Sequence, residues 1–194
     1  MTIDYYQQNA DEFFNGTINV DMSNIYQHFT KDLPAGSLIL DAGCGSGRDS
    51  KAFLDMGYKV EAFDASSEMV KRASEHTGLD VKHILFDDVN AVDKYDAIWC
   101  CASLLHVPED DLPNTLIKLA TALKPKGIWY LSFKYGDTQN ERGGRLFTNV
   151  NEERLSLFAQ SLSMITIQHT WVTDDKRPER IEKWFNIILI KSNN

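Results

Sequence analysis

Three glycines at alternate positions, Gly43, Gly45 and Gly47, lie between an apolar run and a helix-like stretch. The run over residues 37–41 predicts a strand that enters the turn, and the residues after position 48 predict a helix that leaves it. A strand, turn and helix of this kind lets a ligand approach the backbone closely at the positive end of a helix. On its own the loop is a weak signal, because a tight glycine turn also occurs without a ligand.

The spacing of this loop argues against two common nucleotide sites. A dinucleotide fingerprint starting at Gly43 would need a third glycine where the sequence has Arg48. A P-loop would need Gly-Lys followed by Ser or Thr, and the sequence has no such tripeptide. The loop therefore favours neither an NAD site nor a triphosphate site.

Acidic residues stand at the ends of the next two predicted strands. Asp64 ends the first of them, and Asp87 and Asp88 follow the second. The carboxyl ends of parallel strands meet at one crevice, so Asp64 could accept both hydroxyls of a ribose there. One of the later pair could accept from an adenine amino group. Each acid alone is typical of a solvated strand end, but their convergence favours a cofactor site.

Strand-like and helix-like segments alternate from residue 37 onward. Strands are predicted over residues 37–41, 58–64, 81–86, 95–101, 128–133, 164–172 and 183–191. Helices are predicted from the glycine loop to Met56, from Ser66 or Ser67, from Pro108 to Leu123, and across residues 155–162. The alternation predicts an α/β fold with a mostly parallel sheet covered on both faces. The last two strands have no helix between them, which predicts an antiparallel pair at one edge.

The 194 residues suit one domain. Two amphipathic segments precede the breaker Leu33-Pro34-Ala35-Gly36, so we expect residues 1–36 to form a helical lid over a core of residues 37–194. The aromatic side chains of the first segment could belong to that lid, although their helical spacing first predicts a packing role.

Composition limits the partners and the compartment. The chain has 20 Lys and Arg against 28 Asp and Glu, a net charge of -8, which argues against a nucleic-acid partner. No apolar stretch approaches the ~20 residues of a membrane span, and the acidic N-terminus does not resemble a secretory signal. Three cysteines, two of them adjacent, form no disulfide framework, and the histidines lack metal-ligand spacing. We therefore expect a cytoplasmic protein with no metal and no membrane partner.

Taken together, the motifs resemble those of class I S-adenosylmethionine-dependent methyltransferases. The segments that carry the resemblance are Asp41-Ala-Gly-Cys-Gly-Ser-Gly, Phe63-Asp64-Ala-Ser, Phe86-Asp87-Asp88 and Tyr95-Asp96-Ala97-Ile98. The resemblance covers residues 37–133. It implies a three-layer, doubly wound, Rossmann-like fold whose seven-stranded sheet has the order 3-2-1-4-5-7-6 with the last strand antiparallel. It also implies S-adenosyl-L-methionine as the cofactor.

The same resemblance implies which residues bind that cofactor. They are Asp41, Gly43, Cys44, Gly45 and Gly47 around its methionine and ribose parts, Asp64 at the ribose, Ala65 and Ser66 beside the adenine, Asp87 or Asp88 with the Val89 amide at the adenine amino group, and Cys101 and Ala102 near the sulfonium. Arg48 could reach the cofactor's carboxylate or an oxyanion. A salt bridge within the first turn of the following helix is an equally good interpretation of that arginine.

A narrower resemblance points to the tellurite-resistance methyltransferase group. It is carried by Gly45-Ser46-Gly47-Arg48-Asp49-Ser50, by the turn Leu104-Leu105-His106-Val107-Pro108, and by Lys134-Tyr135-Gly136 followed by Gly144-Arg145-Leu146-Phe147. We take it as placement near that group and not as proof of a tellurite substrate. The core fold uses nearly all of residues 37–194, which leaves no inserted domain to hold a macromolecule. The acceptor is therefore expected to be small.

Three residues are candidates for work on the acceptor: His106, Lys134 and Arg145. His106 is a possible base or a core histidine, and Lys134 ends the fifth strand as either a site residue or a surface lysine. If Lys134 and Arg145 both face a positively charged sulfonium, an anionic acceptor would offset the repulsion. The second function class is a non-catalytic S-adenosylmethionine-binding sensor or partner module. The sequence leaves open whether the chain is a monomer or a homodimer.

Overall fold

The computed structural model describes residues 2–177 and 180–193. The helices of this part are α1 (Thr2–Gln8), α2 (Ala10–Thr17), α3 (Ser23–Thr30), α4 (Arg48–Asp55), α5 (Ser67–Thr77), α6 (Leu112–Ala122) and α7 (Glu152–Ala159). The strands are β1 (Leu38–Ala42), β2 (Lys59–Asp64), β3 (Lys82–His83), β4 (Tyr95–Cys100), β5 (Leu123–Lys134), β6 (Gln139–Arg142), β7 (Arg145–Thr148), β8 (Ile165–Asp174) and β9 (Lys183–Lys191). Short 3-10 helices cover Phe86–Asp88 and Leu104–His106. No helix in this part is long and apolar enough to cross a membrane.

Seven strands form one sheet in the order β3-β2-β1-β4-β5-β9-β8. The strands β1 to β5 pair in parallel, β9 runs antiparallel to β5, and β8 pairs antiparallel with β9. Numbered within this sheet alone, the order is 3-2-1-4-5-7-6 with the last strand of the chain reversed. The predicted α/β sheet and its strand order are confirmed.

The middle of β4 and of β5 is apolar, as expected for strands that helices cover on both faces. Trp99, Trp129 and Ile98 are completely buried in β4 and β5. The rings of Trp99 and Tyr130 stack at 4.1 Å, and Phe29 of α3 packs against Trp99 at 4.9 Å. Full burial of one such side chain contributes about 1.5–3 kcal/mol. The core thus holds the carboxyl ends of the strands in fixed positions.

Two predicted elements are shorter than expected. The strand predicted over residues 81–86 is only Lys82–His83, because the chain turns into a 3-10 helix at Phe86. The helix predicted from Pro108 begins at Leu112. The Pro108 carbonyl accepts from the amides of Asp111 and Leu112, so residues 108–111 form a turn that leads into the helix.

A separate hairpin, β6–β7, follows β5 and covers residues 139–148. Its turn is Gly143-Gly144, with φ of +56° and +73°. Two consecutive residues with positive φ form the tight turn that matches the twist of a hairpin, and glycine adopts that conformation at little cost. Arg142 and Arg145 therefore lie opposite each other on two paired strands.

No residue of helix α1 is fully buried, and the helix is held by polar contacts at two sides. The Gln7 side-chain oxygen accepts from Ser66 Oγ at 2.7 Å and from the Glu68 amide at 2.9 Å, at the start of α5. Thr2 Oγ1 accepts from the Leu146 amide at 3.0 Å, in β7. The helix therefore bridges the start of α5 and the hairpin.

Candidate active site

A cavity of about 640 Å³ opens at the carboxyl ends of the parallel strands, and α1 to α3 contribute to its walls. Cavities of this size hold small ligands and cofactors. It spans the point where the strand order reverses between β1 and β4, which is where doubly wound sheets bind ligands. The cavity has two parts. The loop end lies around Gly45 and Asp64, and the hairpin end lies around His106, Lys134 and Arg145.

The three glycines of the loop all have positive φ, but they serve different purposes. A Cβ on Gly43 would lie 2.5 Å from Ser103 Cβ, and one on Gly47 would lie 2.9 Å from a side chain of α5. Both positions are required by packing within the protein. A Cβ on Gly45 would meet only the ring of Phe13, at 3.2 Å across the cavity. Gly45 is thus the glycine whose backbone faces the space available to a ligand.

Asp64 is fixed beside this backbone by two amides. Its Oδ2 accepts from the Gly45 amide and its Oδ1 from the Ser66 amide, each at 2.9 Å. Burial raises the pKa of Asp64, and the amide donors oppose that shift. Each carboxylate oxygen can accept more than one hydrogen bond, and Asp64 lines the cavity. The carboxylate is therefore placed to accept from a diol.

Of the three residues predicted to bind the adenine, one lies on the cavity wall and two do not, within the described part of the chain. Asp87 lines the cavity, and its carboxylate pairs with Lys118 at 2.9 Å. Asp88 turns back to accept from the Leu85 amide at 2.8 Å, while Val89 is buried in the core. Neither Asp88 nor Val89 lines the cavity within the described ranges.

Arg48 forms a buried ion pair with its neighbour in the first turn of α4. Its Nε and Nη2 donate to the Asp49 carboxylate at 2.6 and 3.0 Å, and Asp49 also accepts from Tyr26 Oη at 2.5 Å and Trp99 Nε1 at 2.8 Å. Burial would lower the pKa of Arg48, but Asp49 outweighs it and raises that pKa. Of the two interpretations of Arg48, the salt bridge is the one present, although the side chain still lines the cavity.

Asp41 lies below the loop and away from the cavity. It is buried and accepts from Ser50 Oγ at 2.5 Å. Burial, followed by the nearby charge of Asp49, raises its pKa. Asp41 and Gly47 are absent from the cavity wall in the part of the chain that the structure describes. Both residues lie on the side of the loop that packs against the rest of the protein.

The predicted cofactor residues that line the cavity are Gly43, Cys44, Gly45, Arg48, Asp64, Ala65, Ser66, Asp87, Cys101 and Ala102. Burial raises the pKa of Cys101 to about 12 and that of Cys44 well above its ordinary value. Both thiols therefore stay protonated and unreactive at neutral pH.

At the hairpin end, His106 is held between a tyrosine and a carbonyl. Its Nδ1 lies 2.7 Å from the Leu146 carbonyl oxygen and its Nε2 lies 2.8 Å from Tyr6 Oη. A carbonyl can only accept, so Nδ1 carries the hydrogen and Nε2 accepts from the phenol. Burial lowers the pKa of His106 to about 4, which leaves the ring neutral at pH 7.

The two predicted cations of this end differ in their partners. Lys134 lies 3.2 Å from Glu182, which also pairs with Arg142 at 2.7 Å. Arg145 lies over the Tyr5 ring at 4.1 Å, and its Nε is buried without a hydrogen-bond partner. Among residues 2–177 and 180–193, Arg145 makes no ion pair within 4 Å. Lys134 thus has an acidic partner in contact, which it shares with Arg142, whereas Arg145 has none within the described residues.

Part of the chain that forms this cavity is similar to known proteins. Residues 39–127 match the family described as methyltransferase domain. This part of the chain resembles a methyltransferase domain. The ubiquinone biosynthesis O-methyltransferase of Xanthomonas axonopodis pv. citri is 36% identical over 107 residues, which are 51% of this chain and 44% of that protein. The corresponding protein of Xanthomonas campestris pv. campestris strain B100 is 35% identical over 105 residues, 50% of this chain and 43% of that one. The chain thus spans less than half the length of these relatives.

Solved structures of methyltransferases share the fold of this chain over nearly its whole length. A 1,6-didemethyltoxoflavin-N1-methyltransferase from Burkholderia thailandensis, with 1,6-didemethyltoxoflavin and S-adenosylhomocysteine bound, has a TM-score of 0.80 at 20% identity, covering 98% of this chain and 85% of its own. Magnesium protoporphyrin IX methyltransferase from Synechocystis PCC 6803, with S-adenosylmethionine bound, has a TM-score of 0.75 at 18% identity, covering 97% of this chain and 94% of its own. At these identities the likeness concerns the fold.

The two structural neighbours hold S-adenosylhomocysteine or S-adenosylmethionine, and the loop end of this cavity fits such a ligand. Gly45 leaves backbone open to the cavity, where the missing Cβ gives a ligand room. Asp64 adds a buried carboxylate whose remaining lone pairs suit ribose hydroxyls. The loop end thus offers a hydrogen-bond acceptor where the cofactor has hydroxyl donors.

Part of the cavity wall was not predicted. Tyr130, Ser132 and Asn186 line the cavity from β5 and β9, and Trp171 lines it from β8. Asn186 accepts from Tyr130 Oη at 2.7 Å and is almost completely buried. Single polar residues inside apolar strands are a usable signal, since a buried polar group needs a partner.

Proposed function

We propose that the protein transfers a methyl group from S-adenosylmethionine to a small-molecule acceptor. The observation that carries the proposal is the buried Asp64 carboxylate, bonded to the Gly45 amide and open to the cavity. The methyltransferase domain matched over residues 39–127 gives independent support.

The chain's own residues would bind and orient the cofactor, which supplies an electrophilic methyl group. Asp64 would accept from the ribose hydroxyls, with Ala65 and Ser66 beside the adenine and Asp87 at its edge. Gly43 and Gly45 would lie along the methionine part. Cys101 and Ala102 follow β4 and would border the sulfur, where the inert thiol of Cys101 does not compete as a nucleophile.

A small acceptor fits the volume and the cover of the cavity. The same 640 Å³ must hold both reactants, and α1 to α3 form part of the wall. We propose that residues 1–36 act as a lid over a core of residues 37–194 in one domain. A closed, dry cavity aligns a nucleophile with the methyl group and keeps water out. The three free cysteines agree with a reducing, cytoplasmic setting.

We further propose that the acceptor carries an anionic group, and that Arg145 binds it. The support is the buried, unpartnered Nε of Arg145 on the cavity wall, since guanidinium groups recognise carboxylates and other oxyanions. Lys134 contributes less, because it already forms an ion pair with Glu182. A tellurite-like oxyanion and an organic carboxylate share this chemistry.

The test is turnover with methyl-labelled S-adenosylmethionine and a panel of small acceptors. The panel contains tellurite, phenolic carboxylates and neutral phenols, with mass spectrometry of the products. We expect labelled product with anionic members and much less with neutral ones. Cofactor binding without product across a broad panel would favour the non-catalytic sensor or partner module instead.

A further inference from the structure

We propose that Tyr6 and His106 form a proton-accepting pair, in which Tyr6 contacts a hydroxyl of the acceptor and passes its own proton to His106. The inference rests on the proposed methyl transfer and adds to it the kind of atom that is methylated. An acceptor that needs such a pair presents a protonated oxygen as its nucleophile. The anionic group that Arg145 would bind is then a separate part of the same molecule.

The geometry gives the pair a direction. The Leu146 carbonyl fixes the hydrogen on Nδ1 of His106, so that the lone pair of Nε2 points to Tyr6 Oη at 2.8 Å. The imidazole is packed between the Tyr6 ring at 5.5 Å and the Phe147 ring at 5.1 Å, which restricts its rotation. Both Tyr6 and His106 line the cavity. A base oriented by a second hydrogen bond is the arrangement that general-base catalysis requires.

The charged groups around the pair favour its neutral starting state. Arg145 from β7 and Lys134 from β5 face His106, and after burial they contribute to its low pKa of about 4. Burial raises the pKa of Tyr6, with Arg145 opposing and with Asp64 and Tyr5 adding to the shift. At pH 7 the imidazole therefore has a free lone pair and the phenol keeps the proton that it donates.

The transfer balances in atoms and charge. The acceptor's hydroxyl oxygen forms a bond to the methyl carbon, and the carbon–sulfur bond breaks with its electron pair remaining on sulfur. The hydroxyl proton moves to Tyr6 Oη while the Tyr6 proton moves to Nε2 of His106. A positive charge arises on the imidazole as the sulfonium charge disappears, so the total charge of the buried site does not change. Because the pKa of His106 is low, the ring then returns its proton to water.

The experiment compares the wild type with Tyr6→Phe and with Tyr58→Phe. Tyr58→Phe is the control, because it removes a tyrosine hydroxyl from a residue that does not line the cavity. Nitrogen-15 histidine spectra of the ligand-free proteins, recorded against pH, report the tautomer and pKa of His106. We expect Nε2 to be unprotonated at pH 7 in the wild type and in Tyr58→Phe. In Tyr6→Phe the pKa of His106 should rise, because the neutral ring loses its hydrogen-bond donor.

Activity adds a second readout, with 3,4-dihydroxybenzoate and 4-mercaptobenzoate as probes. Tyr6→Phe should lower kcat for the hydroxyl probe about 100-fold at pH 7 and keep S-adenosylhomocysteine affinity. Raising the pH should recover part of that loss, and the thiol probe, already ionised at pH 8, should show little loss. A protonated Nε2, unchanged kcat or lost S-adenosylhomocysteine affinity in Tyr6→Phe would overturn the pair. A wild type that binds no S-adenosylhomocysteine would contradict the proposed function, and the spectra would still decide on the pair.

Discussion

The two ends of the cavity are assembled in different ways. At the loop end, Gly45 and Asp64 come from one strand–turn–helix and the strand beside it, and backbone amides hold the carboxylate. At the hairpin end, Tyr6 and His106 are a hundred positions apart in the chain and meet through side chains. We infer that the loop end is preformed, whereas the hairpin end depends on α1 being docked.

The largest effect is expected from a side chain at Gly45. Gly45→Ala puts a Cβ on the backbone that faces the cavity, and S-adenosylhomocysteine affinity should fall about 100-fold or more. Gly36→Ala is the matched control, since Gly36 also has positive φ and has no atom within 4 Å of its Cβ position. Calorimetry and thermal unfolding of both variants separate lost binding from lost stability. Equal affinity in the two variants would mean that the ligand does not approach the loop at Gly45.

Asp64 is the next test of the loop end. Asp64→Asn keeps the size of the side chain and removes the charge, so two ribose hydroxyls lose part of their acceptor. We expect a loss of about 1–3 kcal/mol, or about 10- to 100-fold, in S-adenosylhomocysteine affinity by calorimetry. Asp88→Asn serves as control, because Asp88 is outside the cavity wall as far as the chain is described. A larger loss in Asp88→Asn than in Asp64→Asn would exchange their roles.

The sequence predicts the loop end of the cavity better than it predicts the hairpin end. The mostly parallel sheet could be predicted because the alternation of strands and helices is a local pattern, whereas its strand order was implied by the family resemblance. The glycine loop and the acid at the end of the next strand are likewise visible in the sequence as local patterns. The Tyr6–His106 contact could not, since no local pattern links α1 to the turn after β4. The β6–β7 hairpin was missed, although Gly143-Gly144 is a hairpin signal in itself. The sequence left two interpretations of Arg48 open, and the ion pair with Asp49 in the structure decides between them.

The two cations of the hairpin end should differ in their effect on acceptor use. Arg145→Ala should raise KM for an anionic acceptor about 10-fold, as expected for the loss of a charged hydrogen bond. Lys134→Ala should raise it less than about 3-fold, because Glu182 already offsets that charge. S-adenosylhomocysteine affinity should be unchanged in both. If Arg145→Ala lowers that affinity instead, Arg145 belongs with the cofactor's carboxylate.

The smallest effect is expected from loosening α1. Gln7→Ala removes the acceptor for Ser66 and the Glu68 amide, which should cost about 1 kcal/mol and lower Tm by about 2–4 °C. Acceptor KM should rise more than the dissociation constant of S-adenosylhomocysteine, since α1 also carries Tyr6. Gln27→Ala, on the exposed side of α3, is the control. An equal change at both ends would show that the loop end is not preformed.

The most direct test of the central claim is a calorimetric titration of the purified protein with S-adenosylhomocysteine, beside a titration with NAD. We predict a single site per chain with micromolar affinity for S-adenosylhomocysteine and no heat of binding with NAD. Preference for NAD, or no binding of S-adenosylhomocysteine at all, would contradict it.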